Sequence, residues 1–114
     1  MRYLLLIYTQ EQLDSETDAA GGPELEEYNK FTEDIRARGL FEAGEALHPT
    51  SSATTVRVKD GQTVTTDGPF AETKEQLGGY YLIEADNLDR AIEAAARCPG
   101  ALYGSMEVRP IVDM

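Results

Sequence analysis

Residues 2–8, Arg-Tyr-Leu-Leu-Leu-Ile-Tyr, decide the architecture of this chain. Apolar side chains occupy both alternating positions of the stretch, whereas a strand with one side in water alternates apolar and polar residues. We therefore predict a strand that is buried on both faces of a sheet. The run is far shorter than the roughly 20 residues of a membrane span, and it lacks the flanks of a signal peptide.

Two segments that follow have the spacing of amphipathic helices. After a polar loop over 9–22, we predict a helix at 23–38 that begins at Pro23 and stops at Gly39. Its apolar stripe is Leu25, Tyr28, Phe31, Thr32 and Ile35. A second helix follows a cap at Asp86 or Asn87 and ends at Pro99-Gly100. Its stripe is Leu88, Ala91, Ile92 and Ala95, and Glu93 and Arg97 form an i,i+4 pair.

The remaining apolar segments predict strands. They are residues 40–47, a hairpin of 54–58 and 62–66 around Asp60-Gly61, then 80–85 and 104–109, whereas 71–79 look irregular. The order is β-α-β, a hairpin, then β-α-β. We predict an α+β fold of the ferredoxin-like βαββαβ type with an inserted hairpin, formed by residues 1–114 as one domain.

In this fold, one apolar face of the sheet is left without a helix to cover it. Two helices cover only one side, yet 3–8 and 80–83 are apolar at both parities. A large exposed apolar patch usually marks an interface. We therefore expect a homodimer with two-fold symmetry whose sheets pack face to face.

The composition excludes several classes of function. The chain has 114 residues, a formal charge of −11 and one cysteine, Cys98. The negative charge repels phosphate backbones, so we expect no nucleic-acid partner. One cysteine excludes an internal disulfide and any zinc site that needs two cysteines. The sequence has no glycine-rich cofactor motif, and we expect no cofactor, no membrane contact and a cytoplasmic location.

The charge is concentrated in residues 11–45, which hold eleven acidic and three basic residues. This segment is either a solvated loop and helix face or an acidic surface that docks a basic protein.

His48 and Asp67 are the first two candidate site residues. His48, the one histidine, follows a predicted strand and suits proton transfer near neutral pH; the alternative is an exposed loop histidine. Asp67 begins the turn Asp67-Gly68-Pro69-Phe70, where its carboxylate can either cap backbone N–H groups or act as a base.

Charged residues near these two supply candidate ligand contacts. Glu72, Lys74 and Glu75 form either a surface ion pair or a ligand-orienting cluster. Glu107 and Arg109 share one parity of the last strand, as a charge pair or as a carboxylate-binding pair. A metal set of Glu45, His48, Asp67 and Glu72 lacks the tight spacing of known sites, so we assign no metal.

The run over 67–81, Asp-Gly-Pro-Phe-Ala-Glu-Thr-Lys-Glu-Gln-Leu-Gly-Gly-Tyr-Tyr, resembles the signature of the DGPF-domain proteins of the YCII-related (YciI-like) family. The start at 2–8 and the end at 107–110 resemble this family too, so the resemblance covers nearly the whole chain. It implies a ferredoxin-like fold in a dimeric α/β barrel. It implies little about activity, although a histidine and an aspartate are suspected of acid–base work in the YciI branch.

The resemblance has one departure. The suspected histidine of the YciI branch corresponds here to Tyr28, which is a poor base at neutral pH. If the protein is an enzyme, we expect a small polar or aromatic molecule to bind in a cleft at the open face of the sheet and the dimer seam. The candidate base there is Asp67, the acid is His48 or Tyr28, and the anion anchor is Arg109 or Lys74. The other hypothesis is a non-catalytic dimeric module that either binds a metabolite or presents an acidic face, with Glu24, Glu26 and Glu27, to a basic partner. The resemblance implies an extracytoplasmic-function sigma factor as such a partner.

Overall fold

The structure, a computed structural model, describes residues 1–10 and 25–113. Its strands are β1 (Arg2–Thr9), β2 (Phe41–Ala46), β3 (Thr54–Lys59), β4 (Gln62–Asp67), β5 (Gln76–Glu84) and β6 (Ser105–Pro110). Its helices are α1 (Leu25–Ala37), α2 (Leu88–Arg97) and the short α3 (Gly100–Tyr103), and a 3₁₀ turn spans Thr50–Ser52. None of the helices in the described ranges is long and apolar enough to cross a membrane.

Four strands form one antiparallel sheet in the order β2-β5-β1-β6. This order, with a helix following β1 and another following β5, is consistent with the predicted ferredoxin-like α+β fold. Strands β3 and β4 pair only with each other and form a separate two-stranded sheet. The inserted hairpin predicted around Asp60-Gly61 is thus confirmed.

Strand β1 lies inside the sheet, as its apolar pattern predicts. Leu5 is opposite Tyr81 of β5 on one side and Val108 of β6 on the other. Leu5 is fully buried and Tyr3 and Ile7 nearly so, and all three point to the same side of the sheet.

The helices cover this side of the sheet. Phe31 of α1 packs edge-on against Tyr81 with the ring centroids 5.1 Å apart, and Thr32 and Tyr81 share a hydrogen bond between their hydroxyls at 2.9 Å. We call this side the helix face. Its buried cluster is Tyr3, Leu5, Ile7, Phe31, Ile35, Tyr81, Ile83, Ala85, Ala91, Ala94, Ala95 and Cys98.

The predicted apolar stripes of both helices are wrong in part. Ala91 and Ala95 are buried, but Leu88 and Ile92 are 47% and 49% exposed, because α2 turns its alanines (Ala94 included) toward the sheet. Small side chains let a helix approach its neighbours closely, so the longer side chains stay outside. In α1, Phe31 and Ile35 are buried as expected, whereas Leu25 is exposed.

The predicted boundaries hold with two corrections. Pro23 lies outside the described residues, Gly39 follows α1 with a φ of +75°, and the Asn87 side chain accepts a hydrogen bond from the Arg90 amide at 3.0 Å. The Pro99-Gly100 pair does not end all helical structure, because α3 begins at Gly100.

The second correction concerns 71–79, because β5 already begins at Gln76. Glycines there read as loop residues in the sequence. Gly79 nevertheless pairs with Ile7 of β1 and Ala46 of β2. A side chain at this strand position would lie 3.0 Å from the backbone oxygen of Glu45 on β2, which explains why the residue is a glycine.

Gly104 provides a test of how tightly β6 joins the sheet. A Cβ at this position would overlap with the backbone oxygen of Tyr8, which cannot move without disturbing β1. We expect Gly104→Ala to lower the free energy of unfolding by about 1–3 kcal/mol, measured by urea denaturation. Gly78→Ala is the matched control, because its Cβ would meet only the Thr9 hydroxyl at 3.7 Å. Equal stabilities of the two variants would contradict this packing.

Candidate functional site

We call the side of the sheet opposite the helices the open face. It carries a row of apolar side chains, the apolar strip. Its members alternate with the core residues of β1 and β5 and are Leu4, Leu6, Tyr8, Tyr80 and Leu82. Leu6 is 9% exposed although it lies outside the main core cluster, and the other four are half-buried. The open face is therefore apolar as predicted, but less exposed than the sequence suggests, because these large side chains shelter one another.

A polar row borders the open face along β6. The Tyr8 hydroxyl donates a hydrogen bond to Glu107 Oε1 at 3.2 Å, and Arg109 Nε lies 4.0 Å from Glu107 Oε2. The charge pair predicted for Glu107 and Arg109 is therefore present, and Tyr8 extends it. The sequence analysis placed Tyr8 only in a buried strand. Its position opposite Ser105, at the same parity as Glu107, becomes evident only once β1 and β6 are paired.

The environment keeps the Tyr8 hydroxyl protonated. Burial raises the pKa of Tyr8, and the hydrogen bond to the Glu107 carboxylate raises it further, while the positive charge of Arg109 opposes this shift. Tyr8 is therefore a hydrogen-bond donor at neutral pH.

The segment that follows the DGPF motif is folded on itself and joined to β6. The Gln76 side-chain amide donates to the backbone oxygens of Ala71 at 3.1 Å and Thr73 at 3.2 Å. The Ser105 hydroxyl donates to Glu75 Oε1 at 2.7 Å. Glu75, predicted to belong to a cluster around Lys74, therefore connects this segment to the end of β6 that lies beside Tyr8.

Asp67 lies at the end of the hairpin, and His48 lies in the segment that leads from β2 to β3. Asp67 ends β4 opposite Thr54, and the next residue, Gly68, has a φ of +98°. The Gly68 amide donates to the Ala53 oxygen at 2.8 Å, and its own oxygen accepts from the Thr55 hydroxyl at 2.9 Å. The Asp-Gly turn is thus attached to the base of the hairpin.

The structure does not join the other predicted site residues into one cluster. His48, Asp67, Glu72 and Lys74 are all exposed, and no hydrogen bond or ion pair links His48 to Asp67 among the contacts of the described residues. Tyr28 packs against the core on the helix face, whereas Arg109 is exposed on the opposite side of the sheet. Within residues 1–10 and 25–113, no group of three or more His, Cys, Asp or Glu side chains could hold a metal ion.

A groove of about 380 Å³ lies between the helices on the other side of the molecule. Asp34 of α1 forms ion pairs with Arg38 at 3.0 Å and with Arg97 of α2 at 3.3 Å. Both contacts lower the pKa of Asp34, and the hydrogen bond with Arg38 has the larger effect. Glu93 contacts Arg97 at 3.4 Å, as its i,i+4 spacing predicts, and Arg90 at 3.3 Å. Each arginine of the groove already has a carboxylate partner, so the network joins the two helices and leaves no unpaired cation there for an anionic ligand.

These observations define a class: an α+β protein with helices on one face of an antiparallel sheet and an apolar, polar-edged surface on the other. A family model described as the YCII-related domain matches residues 1–114, so the chain belongs to the YCII-related family. The resemblance to the YCII-related family seen in the sequence is thereby confirmed.

Proteins similar to this chain include one relative by sequence and one by structure. An uncharacterised protein of Rhizobium meliloti (strain 1021) is 40% identical over 120 residues, which cover 97% of this chain and 92% of that protein. The structure of 5-chloro-2-hydroxyhydroquinone dehydrochlorinase from Burkholderia phenoliruptrix AC1100, in complex with 2,5-dihydroxybenzoquinone, aligns over 98% of this chain and 94% of that chain, with 15% identity and a TM-score of 0.49. The family model and the relative from Rhizobium meliloti establish the family of this chain.

The polar row predicts that removing the charge of Glu107 and removing the charge of Arg109 shift the pKa of Tyr8 in opposite directions. We expect Glu107→Gln to lower the pKa of Tyr8, which still stays above its ordinary value because burial is the largest cause of the shift. Arg109→Gln should raise it, since a nearby positive charge favours the phenolate. The measurement is a pH titration of ¹³C-labelled tyrosine by NMR.

Tyr81 is the internal control of this titration. Its pKa is raised by burial on the helix face, so neither substitution should move it. If both variants shifted the pKa of Tyr8 in the same direction, the geometry of the polar row would be contradicted.

Proposed function

We propose that this protein binds a small molecule with an aromatic ring and an anionic or polar group on the open face. The observation that carries this proposal is the apolar strip of Leu6 and Tyr80 beside the row of Tyr8, Glu107 and Arg109. A ring can pack on the strip, the Tyr8 hydroxyl can donate a hydrogen bond, and the Arg109 guanidinium can bind a carboxylate.

A second copy of the chain would close this surface into a cleft. The strip is apolar and the helices lie on the other side of the sheet, so packing two open faces together would remove it from water. This is the dimeric α/β arrangement that the family resemblance implies. The DGPF segment over 67–75 approaches the same end of the sheet through the bond between Glu75 and Ser105.

Acid–base chemistry in this cleft would be carried by Asp67 as the base and His48 as the acid, with Lys74 as a second anchor and Glu72 as a ligand contact. His48 follows β2, Asp67 is the last residue of β4, and Glu72 and Lys74 lie between β4 and β5. We leave out Tyr28, because it lies on the helix face.

The second candidate is a non-catalytic accessory module. It is favoured by the first turns of α1, where Glu26 and Glu27 are exposed; Glu24 lies outside the described residues. Such a surface would attract a basic protein through charge, and a sigma factor is the partner that the family resemblance suggests. This surface and the open face lie on different elements, so the two candidates predict different contacts.

Tyrosine NMR can locate a bound ligand, because the tyrosines report on different faces. We expect aromatic carboxylates, tested as a panel that begins with benzoate and 4-hydroxybenzoate, to shift the signals of Tyr8 and Tyr80 and to leave Tyr3 and Tyr81 unchanged. Arg109→Gln should weaken binding by roughly tenfold or more, as expected for loss of a charged hydrogen bond. Arg90→Gln on α2 is the matched control and should bind as the wild type does. Shifts confined to Tyr28 or Tyr81 would contradict the proposed site.

Catalysis makes a separate prediction. For any reaction found with a ligand of this class, we expect Asp67→Asn to lower kcat by about 10²–10⁴, which is typical of losing a general base. Binding at Tyr80 should be unchanged, because Asp67 lies outside the apolar strip. Asp60→Asn at the hairpin turn is the control of equal charge change. An unchanged kcat in Asp67→Asn would remove Asp67 from the mechanism and leave the binding site in place.

A further inference from the structure

An acidic side chain of β2 shares the open face with the apolar strip. Glu45 is opposite Tyr80 of β5, and side chains opposite each other on paired strands point to the same side of a sheet. Its neighbour Gly44 faces the other way, because a Cβ there would lie 2.7 Å from the Tyr81 ring on the helix face. Glu45 is exposed, and its carboxylate forms no hydrogen bond or ion pair with any other described residue.

The pairing of the strands places Glu45 at one end of a line of side chains that crosses the whole sheet. Tyr80 is opposite Leu6 of β1, and Leu6 is opposite Glu107 of β6. Neighbouring strands are about 4.8 Å apart, so three spacings put the backbones of the two glutamates roughly 14 Å apart. A tyrosine and a leucine, both members of the apolar strip, therefore lie between two carboxylates.

The two ends of this line differ in their electrostatics. Glu107 accepts a hydrogen bond from the Tyr8 hydroxyl and lies 4.0 Å from Arg109, so its charge is partly compensated. Glu45 has no such neighbours among the described residues, and the other arginine of this sheet, Arg2, lies at the far end of β1. The open face thus offers a donor and a cation at its β6 edge and a free anionic acceptor at its β2 edge.

This difference restricts the ligands that suit the surface. A ligand that binds Arg109 through a carboxylate and packs on the apolar strip extends toward the β2 edge, where Glu45 lies. An apolar end there would remove water from the Glu45 carboxylate without replacing its hydrogen bonds, which is unfavourable. A cationic amine there would instead form a charge-assisted hydrogen bond with it.

We propose that the ligand is an aromatic carboxylate with a cationic amine at the opposite end of the ring, and that Glu45 binds this amine. Arg109 binds the carboxylate, and the ring packs on Tyr80 and Leu6. Glu45 is then a specificity-determining residue, because it favours amino-substituted acids over plain aromatic acids. The inference rests on the function proposed above for the location of the site, and it adds the chemical class of the ligand.

Two isomeric zwitterions test this arrangement of charges. In 4-(aminomethyl)benzoate the amine and the carboxylate lie at opposite ends of the ring, whereas in phenylglycine both lie at one end. We expect the wild type to bind 4-(aminomethyl)benzoate roughly tenfold or more tightly than phenylglycine or benzoate, as expected for one additional charged hydrogen bond. The measurement is calorimetric titration at low ionic strength, and added salt should reduce the preference.

A pair of glutamate variants assigns the preference to one side chain. Glu45→Gln removes the charge and keeps the size of the side chain, so it should bind 4-(aminomethyl)benzoate no more tightly than benzoate. Glu42→Gln is the matched control, because it makes the same change of charge on β2 at a residue that has no partner in the register with β5. This variant should retain the preference of the wild type. Both glutamates are exposed, so neither substitution disturbs the core.

The outcomes separate the class of ligand from the binding surface. Equal wild-type affinities for the two isomers, or a preference that persists in Glu45→Gln, would overturn the role of Glu45. Benzoate-induced shifts of the Tyr8 and Tyr80 signals would then still support the function proposed above. A preference lost to the same extent in Glu42→Gln would also overturn the proposal, because the general charge of β2 would explain it. If none of the three ligands moved the signals of Tyr8 or Tyr80, the proposed function itself would be wrong.

Discussion

The pairing of β1 with a strand on each side is the constraint on which the structure depends. A strand that receives hydrogen bonds from both edges lies inside the sheet, and both of its faces then need cover. Leu5 satisfies this on the helix face, where it is completely buried. Leu4 and Leu6 point the other way, toward the open face. The division of the molecule into a packed side and an open side follows from this one strand.

The two sides use different chemistry to stabilise what lies on them. The helix face is held by close packing of alanines and aromatic rings, and by ion pairs such as that between Asp34 and Arg97, which join α1 to α2. These ion pairs are exposed, and each contributes little to the free energy of folding. Packing of the side chains is therefore the main source of stability on the helix face. The open face has no helix among the described elements packed on it, and its polar row places charge beside an apolar strip. That combination is typical of a surface that binds something else.

The candidate site could be predicted where its residues belong to one strand. Glu107 and Arg109 are two residues apart, so their shared face follows from strand periodicity alone, and the structure places them beside each other. Tyr8 and Glu75 could not be assigned in this way, because their partners lie 99 and 30 residues away. The association of His48 with Asp67 remains a prediction. Asp67 ends the hairpin and His48 lies in the segment between β2 and β3, and both side chains are exposed.

The sequence by itself determined the order of the elements, the interior position of β1, the hairpin turn and the membership of the YCII-related family, because periodicity, turn residues and motifs act over short ranges. Only the tertiary structure decided which side of α2 is buried, that β5 extends back to Gln76, and that Tyr8 joins Glu107. These depend on contacts between distant segments. An alanine, a glycine or a tyrosine carries no local signal of whether another strand or helix lies within a few ångströms of it.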